Sequence, residues 1–154
     1  MSPAAPRPAT WRDIPLMAGL ERAAFPDDPW TEASLWGELA QRPRRSYVVM
    51  REPGSEELLG YAGLDLAGDV ADVMTLAVDP HARGRGIGGL LLEDLHRRAL
   101  AGGAASMMLE VRSGNEPARG LYAARGYSLV RSRPRYYPSG EDALVLRKEL
   151  SADV

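Results

Sequence analysis

Glycines and arginines are concentrated in one short segment, "VDPHARGRGIGG", which lies between an apolar stretch and a helical pattern. Glycine lets the backbone approach a ligand closely and adopt positive φ, so successive N–H groups can converge on one anion at a helix start. The pattern R-x-x-G-x-G, formed by Arg83, Gly86 and Gly88, suits a pyrophosphate. The segment therefore predicts a phosphate-binding loop, and its alternative is a surface turn with solvated arginines.

The same segment also satisfies G-x-G-x-x-G, the fingerprint of dinucleotide-binding proteins, at Gly84, Gly86 and Gly89. Glu110 follows at about the spacing, roughly 20 residues, at which that fingerprint places its acid. However, "DPHAR" separates the preceding strand from Gly84, whereas the fingerprint puts its first glycine directly after the strand. Antiparallel strands are also predicted before the segment. These differences favour the R-x-x-G-x-G interpretation.

Two further side chains are candidates for chemistry. Glu110 lies in the apolar strand "ASMMLEV", where an acid is costly unless it has a function or a partner. The alternative for Glu110 is a solvated carboxylate on an edge strand. Tyr122 follows Asn115, a predicted helix N-cap, by seven residues or about two turns, so both can face the same side of the sheet. The alternative for Tyr122 is an ordinary core tyrosine.

Composition excludes several classes of site. The 154 residues contain no cysteine and two histidines, which excludes a thiolate zinc site and disfavours a histidine metal site. The net charge of −2 gives no general basic surface, so we expect no direct nucleic-acid binding. No signal-peptide core and no run of 18 apolar residues is found, so we expect a cytoplasmic protein that does not bind membranes.

The elements that position these residues follow from hydrophobic periodicity and from glycine and proline breaks. Met74, Leu76 and Val78 are predicted on one face of a central strand, with Val73, Thr75 and Ala77 on the other. Helices are predicted in "TWRDIPLMAGLERAAF", "TEASLWGELAQR", Ile87 to about Ala101, and "SGNEPARGLYAARG". Strands are predicted in "RSYVVMRE", "ELLGYAGLDLA", "DVADVMTLAV", "ASMMLEV", from Tyr127, and in "DALVLRKEL". The order predicts an α/β fold of mixed α+β type, with helices on both faces of a mixed sheet.

The segment "TLAVDPHARGRGIG" resembles the acetyl-coenzyme A loop of the GCN5-related N-acetyltransferase (GNAT) superfamily. "AAFPDDPWTEASL", "LEVRSGNEPARGLYAARGY" and "RYYPSGEDALVL" are similar to RimI-type ribosomal-protein-alanine N-acetyltransferases. The resemblance covers nearly the whole chain and implies a single GNAT domain over residues 1–154, with a largely antiparallel sheet of about seven strands. It implies no metal.

The resemblance also implies roles for individual residues. Glu110 would be the general base, directly or through water, and Tyr122 the acid that protonates the coenzyme A thiolate. The backbone of β-strand residues would pair with the pantetheine arm, and the glycine loop and the helix cap would contact the rest of the cofactor. These cofactor-binding residues are Leu76, Ala77, Val78, Arg83, Gly84, Arg85, Gly86, Ile87, Gly88, Gly89 and Asn115.

The acceptor is predicted from amine chemistry and from the resemblance. Deprotonating a lysine costs about 3.5 kcal/mol more than deprotonating an N-terminal amine, so one carboxylate base suits the N-terminus better. RimI-type enzymes imply the N-terminal alanine of the eighteenth small-subunit ribosomal protein as substrate and partner. "FPDDPW" is three residues longer than the family's "FPW", so the groove entrance is expected to differ. Residues expected to flank that groove are Asp27, Asp28, Glu32, Tyr136, Tyr137 and Glu141.

Two other functions remain open on the sequence. An acetyltransferase of a small amine or of lysine side chains predicts a closed acidic pocket rather than an open groove. A non-catalytic sensor predicts coenzyme A binding without turnover, although the presence of both Glu110 and Tyr122 argues against it. Direct attack within a ternary complex is the expected mechanism, and a monomer is the expected state.

Overall fold

A seven-stranded sheet runs through the part of the chain that the computed structural model describes, residues 5–151. Its strands are β1 (Arg7–Pro8), β2 (Arg45–Arg51), β3 (Leu58–Leu66), β4 (Val70–Val78), β5 (Ser106–Arg112), β6 (Ser128–Arg133) and β7 (Ala143–Glu149). Their spatial order is β1-β2-β3-β4-β5-β7-β6. Among these seven strands of residues 5–151, only the β4–β5 pair is parallel, so the predicted mixed, largely antiparallel sheet is confirmed.

Four α-helices of the described residues flank this sheet: α1 (Ile14–Ala24), α2 (Glu32–Leu39), α3 (Ile87–Ala101) and α4 (Glu116–Ala124). Side-chain caps fix the starts of α2 and α4, because the Thr31 hydroxyl accepts the Ser34 N–H and the Asn115 side chain accepts the Ala118 N–H. The first two helices are shorter than predicted. Residues 11–13 form a 3₁₀ turn, and a turn replaces the helix after Leu39. No helix within residues 5–151 is long and apolar enough to cross a membrane.

The two faces of the sheet carry separate apolar cores. One core contains the buried face of α3, with Ile87, Leu91 and Leu95, together with Tyr122 of α4. The other core contains Ile14, Met17 and Leu20 of α1 and Leu35 of α2, packed against Tyr47 and Tyr61 of the sheet. The predicted placement of helices on both faces is therefore confirmed.

The β4–β5 pairing is short. Val70, Ala71 and Asp72 pair with Ser106, Met107 and Met108, and the ladder between these two strands ends there. Both strands continue, β4 to Val78 and β5 to Arg112, while β4 stays paired with β3 and β5 with β7. The two halves of the sheet therefore separate beyond Asp72, and a gap opens at its centre.

A bulge interrupts β4 beside this gap. Gly63 pairs with Thr75 and Leu64 with Val73, so Met74 has no partner in β3. Val73 packs against the α3–α4 core and Met74 against the α1–α2 core. The prediction that Met74 shares a face with Leu76, and Val73 with Ala77, was wrong because the extra residue of the bulge reverses the alternation.

Candidate active site

A cavity of about 830 Å³ lies in the gap between β4 and β5. Asp72 to Leu76 form one wall and Met108 to Arg112 form the opposite wall. Residues from the α1–α2 loop, from α4 and from the β6–β7 region complete the lining. Of the predicted site residues, it brings together Asp28, Leu76, Glu110, Asn115, Tyr122, Tyr136 and Tyr137.

The cavity passes through the sheet from one face to the other. Leu109 and Val111 of β5 pack in the α3–α4 core, so Glu110 between them points to the α1–α2 face. Tyr122 belongs to the α3–α4 core. Because both Glu110 and Tyr122 line the cavity, it is open to a carboxylate on one face and to a phenol on the other.

Glu110 is an exposed carboxylate with an arginine partner. Its Oε1 lies 3.3 Å from Nε of Arg133 on β6, and Arg133 in turn lies over the ring of Tyr136 at 5.5 Å. The alternative of an edge strand is wrong for β5 as a whole, because β5 pairs with both β4 and β7. The ladder with β4 ends at Met108, however, so at Glu110 only the β7 side is paired. Arg133 was not identified from the sequence, since an edge-strand arginine carries no local signal of a partner two strands away.

Glu110 belongs to a row of acids across three strands. Asp65 of β3 is paired in register with Asp72 of β4, and Asp72 with Met108, whose next same-face neighbour is Glu110. Burial, and then the charges of Asp65 and Glu110, raise the pKa of Asp72. Asp65 is neutralised by Arg44 and Arg45, with nitrogen–oxygen distances of 2.8 and 2.7 Å. Asp72 was missed, although an acid in an apolar strand is the signal that identified Glu110.

Tyr122 is 6% exposed and burial raises its pKa to about 12. The edge of its ring meets Tyr127 at a centroid distance of 5.6 Å, and the Tyr127 hydroxyl lies 2.7 Å from Nε2 of His96. Burial, with the nearby charges of Lys148 and Arg125, lowers the pKa of His96 to about 4. A protonated phenol and a neutral imidazole are therefore the neutral-pH states on this side of the cavity.

Asn115 begins α4 and lines the cavity at the same time. Its side-chain oxygen accepts the N–H of Ala118 at 3.3 Å, as its predicted position at the N-cap requires. Its amide NH₂ group is a donor that this cap does not use. Asn115 can therefore hold the helix and donate a hydrogen bond to a ligand.

The glycine loop lies at the end of β4 and begins α3. Gly84 and Gly86 have φ of 82° and 78°, the left-handed region that favours glycine. The first hydrogen bond of α3 joins the Leu90 N–H to the Gly86 carbonyl at 3.1 Å, so the N–H groups of Ile87, Gly88 and Gly89 lack acceptors within the helix. This arrangement is a ready site for an anion.

The two loop arginines differ. The Arg85 guanidinium binds Glu52 of the β2–β3 turn through two contacts of 2.9 and 3.1 Å, and it lowers the pKa of that carboxyl. Arg83 is exposed. Within the described chain, the residues that line the cavity do not include Ala77, Val78 or the segment 83–89. The loop therefore lies outside the cavity, along the continuation of β4.

The predicted groove residues are divided between the cavity and its surroundings. Asp28, Tyr136 and Tyr137 line the cavity, and Arg112 lies 4.0 Å from the Tyr137 ring centroid. Glu141 instead accepts the Gly114 N–H at 3.1 Å and thereby supports the loop before α4. Within positions 5–151, Asp27, Glu32 and Glu141 are not among the residues that line the cavity.

Among the same described residues, no group of acids and histidines could hold a metal ion.

Glu21 of α1 also lines the cavity and was missed. It is 1% exposed and accepts hydrogen bonds from Tyr61, Thr75 and Trp30. The sequence indicates its position, because Glu21 falls four residues after Met17 and seven after Ile14 and therefore lies on the apolar face of α1.

Comparison with known proteins connects this geometry to a family. The model of the acetyltransferase (GNAT) family matches residues 13–127. An uncharacterized protein of Mycobacterium leprae is 41% identical over 143 residues, which are 89% of this chain, and the chain spans 38% of that longer protein. The N-alpha-acetyltransferase RimI of Mycobacterium tuberculosis is 40% identical over 146 residues, covering 91% of this chain and 89% of that protein.

Among solved structures, the fold is similar to the ribosomal-protein-S18-alanine N-acetyltransferase from Escherichia coli. The TM-score is 0.86 at 28% sequence identity, over 97% of this chain and 96% of that chain. The resemblance inferred from the glycine loop and the three further segments is therefore confirmed. The chain belongs to the acetyltransferase (GNAT) family and is an N-acetyltransferase that uses acetyl-coenzyme A as its acetyl donor.

Proposed function

We propose that this enzyme acetylates the N-terminal α-amine of a protein, with the N-terminal alanine of the small-subunit ribosomal protein S18 as its substrate. The Escherichia coli enzyme of similar fold carries that substrate in its name, and the Mycobacterium tuberculosis relative is named an N-alpha-acetyltransferase. The observation that carries the proposal is the cavity that crosses the sheet between Glu110 and Tyr122. It gives donor and acceptor separate approaches to one point.

The residues present fit acetyl-coenzyme A. The edge of β4 that faces β5 is unpaired from Val73 onward, so the backbone of Leu76, Ala77 and Val78 can pair with the pantetheine amides as an added strand would. Beyond this edge, the backbone N–H groups of the glycine loop would bind the pyrophosphate, and the loop residues are Arg83, Gly84, Arg85, Gly86, Ile87, Gly88 and Gly89. The Asn115 amide would donate to the same ligand. The bound donor supplies an activated thioester acetyl group.

The two candidate catalytic residues have complementary tasks. Glu110, on the α1–α2 face, takes the proton from the acceptor ammonium, directly or through one water, which leaves a nucleophilic amine. Tyr122, on the α3–α4 face, stays protonated at neutral pH and donates a proton to the departing sulfur. The backbone N–H groups of β4 polarise the acetyl carbonyl. The amine attacks the acetyl carbon directly within a ternary complex, and the carbon–sulfur bond breaks. The second proton of the attacking nitrogen passes to solvent, and Tyr122 regains its proton from water.

The acceptor peptide is proposed to enter from the α1–α2 face. Asp28, Tyr136 and Tyr137 contribute to the cavity wall there, and the exposed Asp27 and Glu32 and the half-buried Glu141 would flank the approach. The acids favour a basic N-terminal peptide. We further propose that residues 1–154 act as one domain, as a cytoplasmic monomer that binds neither nucleic acid nor membranes.

A peptide panel tests the substrate. The protein is incubated with acetyl-coenzyme A and peptides that differ only in their first residue, and free thiol release and peptide mass are followed. We expect the fastest acetylation at an N-terminal alanine and none at internal lysines. Acetylation of lysine side chains or small amines alone would overturn the substrate, and coenzyme A binding without turnover of any amine would overturn catalysis.

A further inference from the structure

Glu21 is a buried carboxylate that the chemistry above does not use. It lies on the apolar face of α1, is 1% exposed, and forms part of the cavity wall. Its Oε1 accepts a hydrogen bond from the Tyr61 hydroxyl and another, of 2.8 Å, from the Thr75 hydroxyl. Its Oε2 accepts the backbone N–H of Trp30 at 3.4 Å.

All three partners of Glu21 are neutral donors. Among the ion pairs of residues 5–151, none includes Glu21. Burying a carboxylate without a cation has a desolvation cost, only part of which such hydrogen bonds offset. A position that only filled the core would be served as well by an apolar side chain. The arrangement therefore indicates a task for the carboxylate beyond packing.

Glu21 joins two segments of the chain, one on the proposed acceptor side of the cavity and one on the proposed donor side. Trp30, with Phe25 and Asp28, belongs to the α1–α2 loop that lines the acceptor side of the cavity. Thr75 follows the bulge at Met74 and directly precedes the β4 residues proposed to pair with the donor. One side chain thus fixes the distance between the acceptor wall and the donor strand.

We propose that Glu21 is a positioning residue for the acceptor, holding the α1–α2 loop against β4 so that the amine meets the acetyl carbon. This inference rests on the proposed function, because it assumes that the loop contacts the acceptor. A misplacement of about 1 Å can lower a rate about 100-fold, so the expected effect is large although Glu21 touches neither reacting atom.

Two substitutions break the link from opposite ends. In Glu21→Gln, an amide oxygen at the Oε1 position can still accept from Tyr61 and Thr75, but an NH₂ group then faces the Trp30 N–H and the loop is released. Thr75→Val removes the donor on β4 with little change in shape. The matched control is Tyr47→Phe, which removes a buried hydrogen bond of 2.6 Å to Glu38 in the same core.

The experiment compares the effect of each substitution on peptide kinetics with its effect on coenzyme A affinity. We expect Glu21→Gln and Thr75→Val each to lower kcat/KM for the alanine peptide by about 10- to 100-fold. The double variant should be no worse than the poorer single variant, because both break one link. Coenzyme A affinity, measured by calorimetry, should change by less than about 2-fold. Tyr47→Phe should lower Tm and leave kcat/KM for the peptide unchanged.

Each outcome has a definite meaning. The positioning role is overturned if Glu21→Gln leaves peptide kcat/KM unchanged, if donor and acceptor constants worsen together, or if the two single effects multiply in the double variant. If the wild type acetylates another amine instead of the alanine peptide, the proposed substrate fails, and the same comparison with that amine decides the role of Glu21. If it acetylates no amine, both proposals fall.

Discussion

Glu110 and Tyr122 reach one cavity from opposite faces of the sheet, through the gap that opens where the β4–β5 ladder ends at Asp72. In the proposed mechanism, a proton is therefore taken from the acceptor and a proton is given to the leaving group on different sides of the reacting centre. This separation means that removing either residue should have a distinct effect on the reaction.

Replacing Glu110 with Gln should lower kcat/KM for the peptide by about 10²- to 10⁴-fold, because the amide cannot accept the proton of the acceptor ammonium. Raising the pH above about 8 should restore part of the rate, since the α-amine then loses its proton unaided. Steady-state kinetics between pH 6 and pH 9.5 test this, with Glu149→Gln on β7 as the control. An equal loss at every pH would contradict the role of base.

Replacing Tyr122 with Phe should lower kcat with little change in coenzyme A affinity, because the ring still packs but the phenolic proton is gone. Burial raises the pKa of Tyr122 to about 12, so the group stays protonated throughout the working range. The wild-type rate should therefore show no decline from Tyr122 ionisation below about pH 10. Tyr127→Phe, which keeps Tyr122, is the comparison. Unchanged kcat in Tyr122→Phe would reject the acid role.

Replacing Gly86 with Ala should weaken coenzyme A binding by about 10-fold, because a Cβ at φ 78° costs roughly 1–2 kcal/mol and shifts the loop. Gly54→Ala is a close control. Gly54 has φ of 74°, has open space around a Cβ, and lies in the β2–β3 turn. Calorimetry should detect weaker binding only in Gly86→Ala, while both variants lose similar stability. Equal affinities would indicate that the loop does not hold the phosphates.

Replacing Asp13 with Asn should destabilise the protein by about 2 kcal/mol at pH 7. Burial opposes ionisation, but hydrogen bonds from Arg7, Thr10 and Arg51 outweigh it and lower the pKa of Asp13 to about 2. The stabilisation is thus complete above the unfolded pKa, near 3.8, and is lost as the pH falls toward 2. The difference in the free energy of unfolding between the wild type and Asp13→Asn, measured with urea, should be smaller at pH 3 than at pH 7. The exposed Asp69→Asn is the control.

Replacing Asp72 with Asn should stabilise the protein at pH 7 by about 0.5 kcal/mol, because it removes a partly buried charge and its repulsion from Asp65 and Glu110. Since the pKa of Asp72 is raised in the folded state, the wild type loses stability as the pH rises above the unfolded value near 3.8. The gain should therefore vanish below about pH 4. Thermal unfolding of the wild type and Asp72→Asn between pH 4 and pH 7 tests this prediction. A loss of stability in Asp72→Asn at pH 7 would refute it.

Local sequence features predicted most of the helices and strands but not how the strands pair. The α3 bounds, Ile87–Ala101, agree with the prediction because apolar periodicity and the following glycines mark both ends. The two-residue strand β1 was missed, since its only ladder, with Val48 and Val49, is a tertiary contact. The bulge at Met74 was also missed, because it depends on the register against β3.

The candidate site was predictable where one residue carries its own signal. An acid within an apolar strand identified Glu110, and helical spacing related Tyr122 to Asn115. The sequence could not predict that Glu110 and Tyr122 share a cavity, because this depends on where the β4–β5 ladder ends. The pairing of Arg85 with Glu52 depends likewise on the approach of two distant loops. That residues 1–154 form one domain stays a prediction.

The short ladder between β4 and β5 has a consequence for the lifetime of the protein. Only three residue pairs join these strands directly, so a donor that binds along the free edge of β4, as proposed, would stabilise the centre of the sheet while it is bound. Binding to the folded state alone adds about 2.7 kcal/mol at a ligand concentration 100 times Kd. We expect the enzyme to resist proteolysis longer when activated acetyl groups are abundant than when they are depleted.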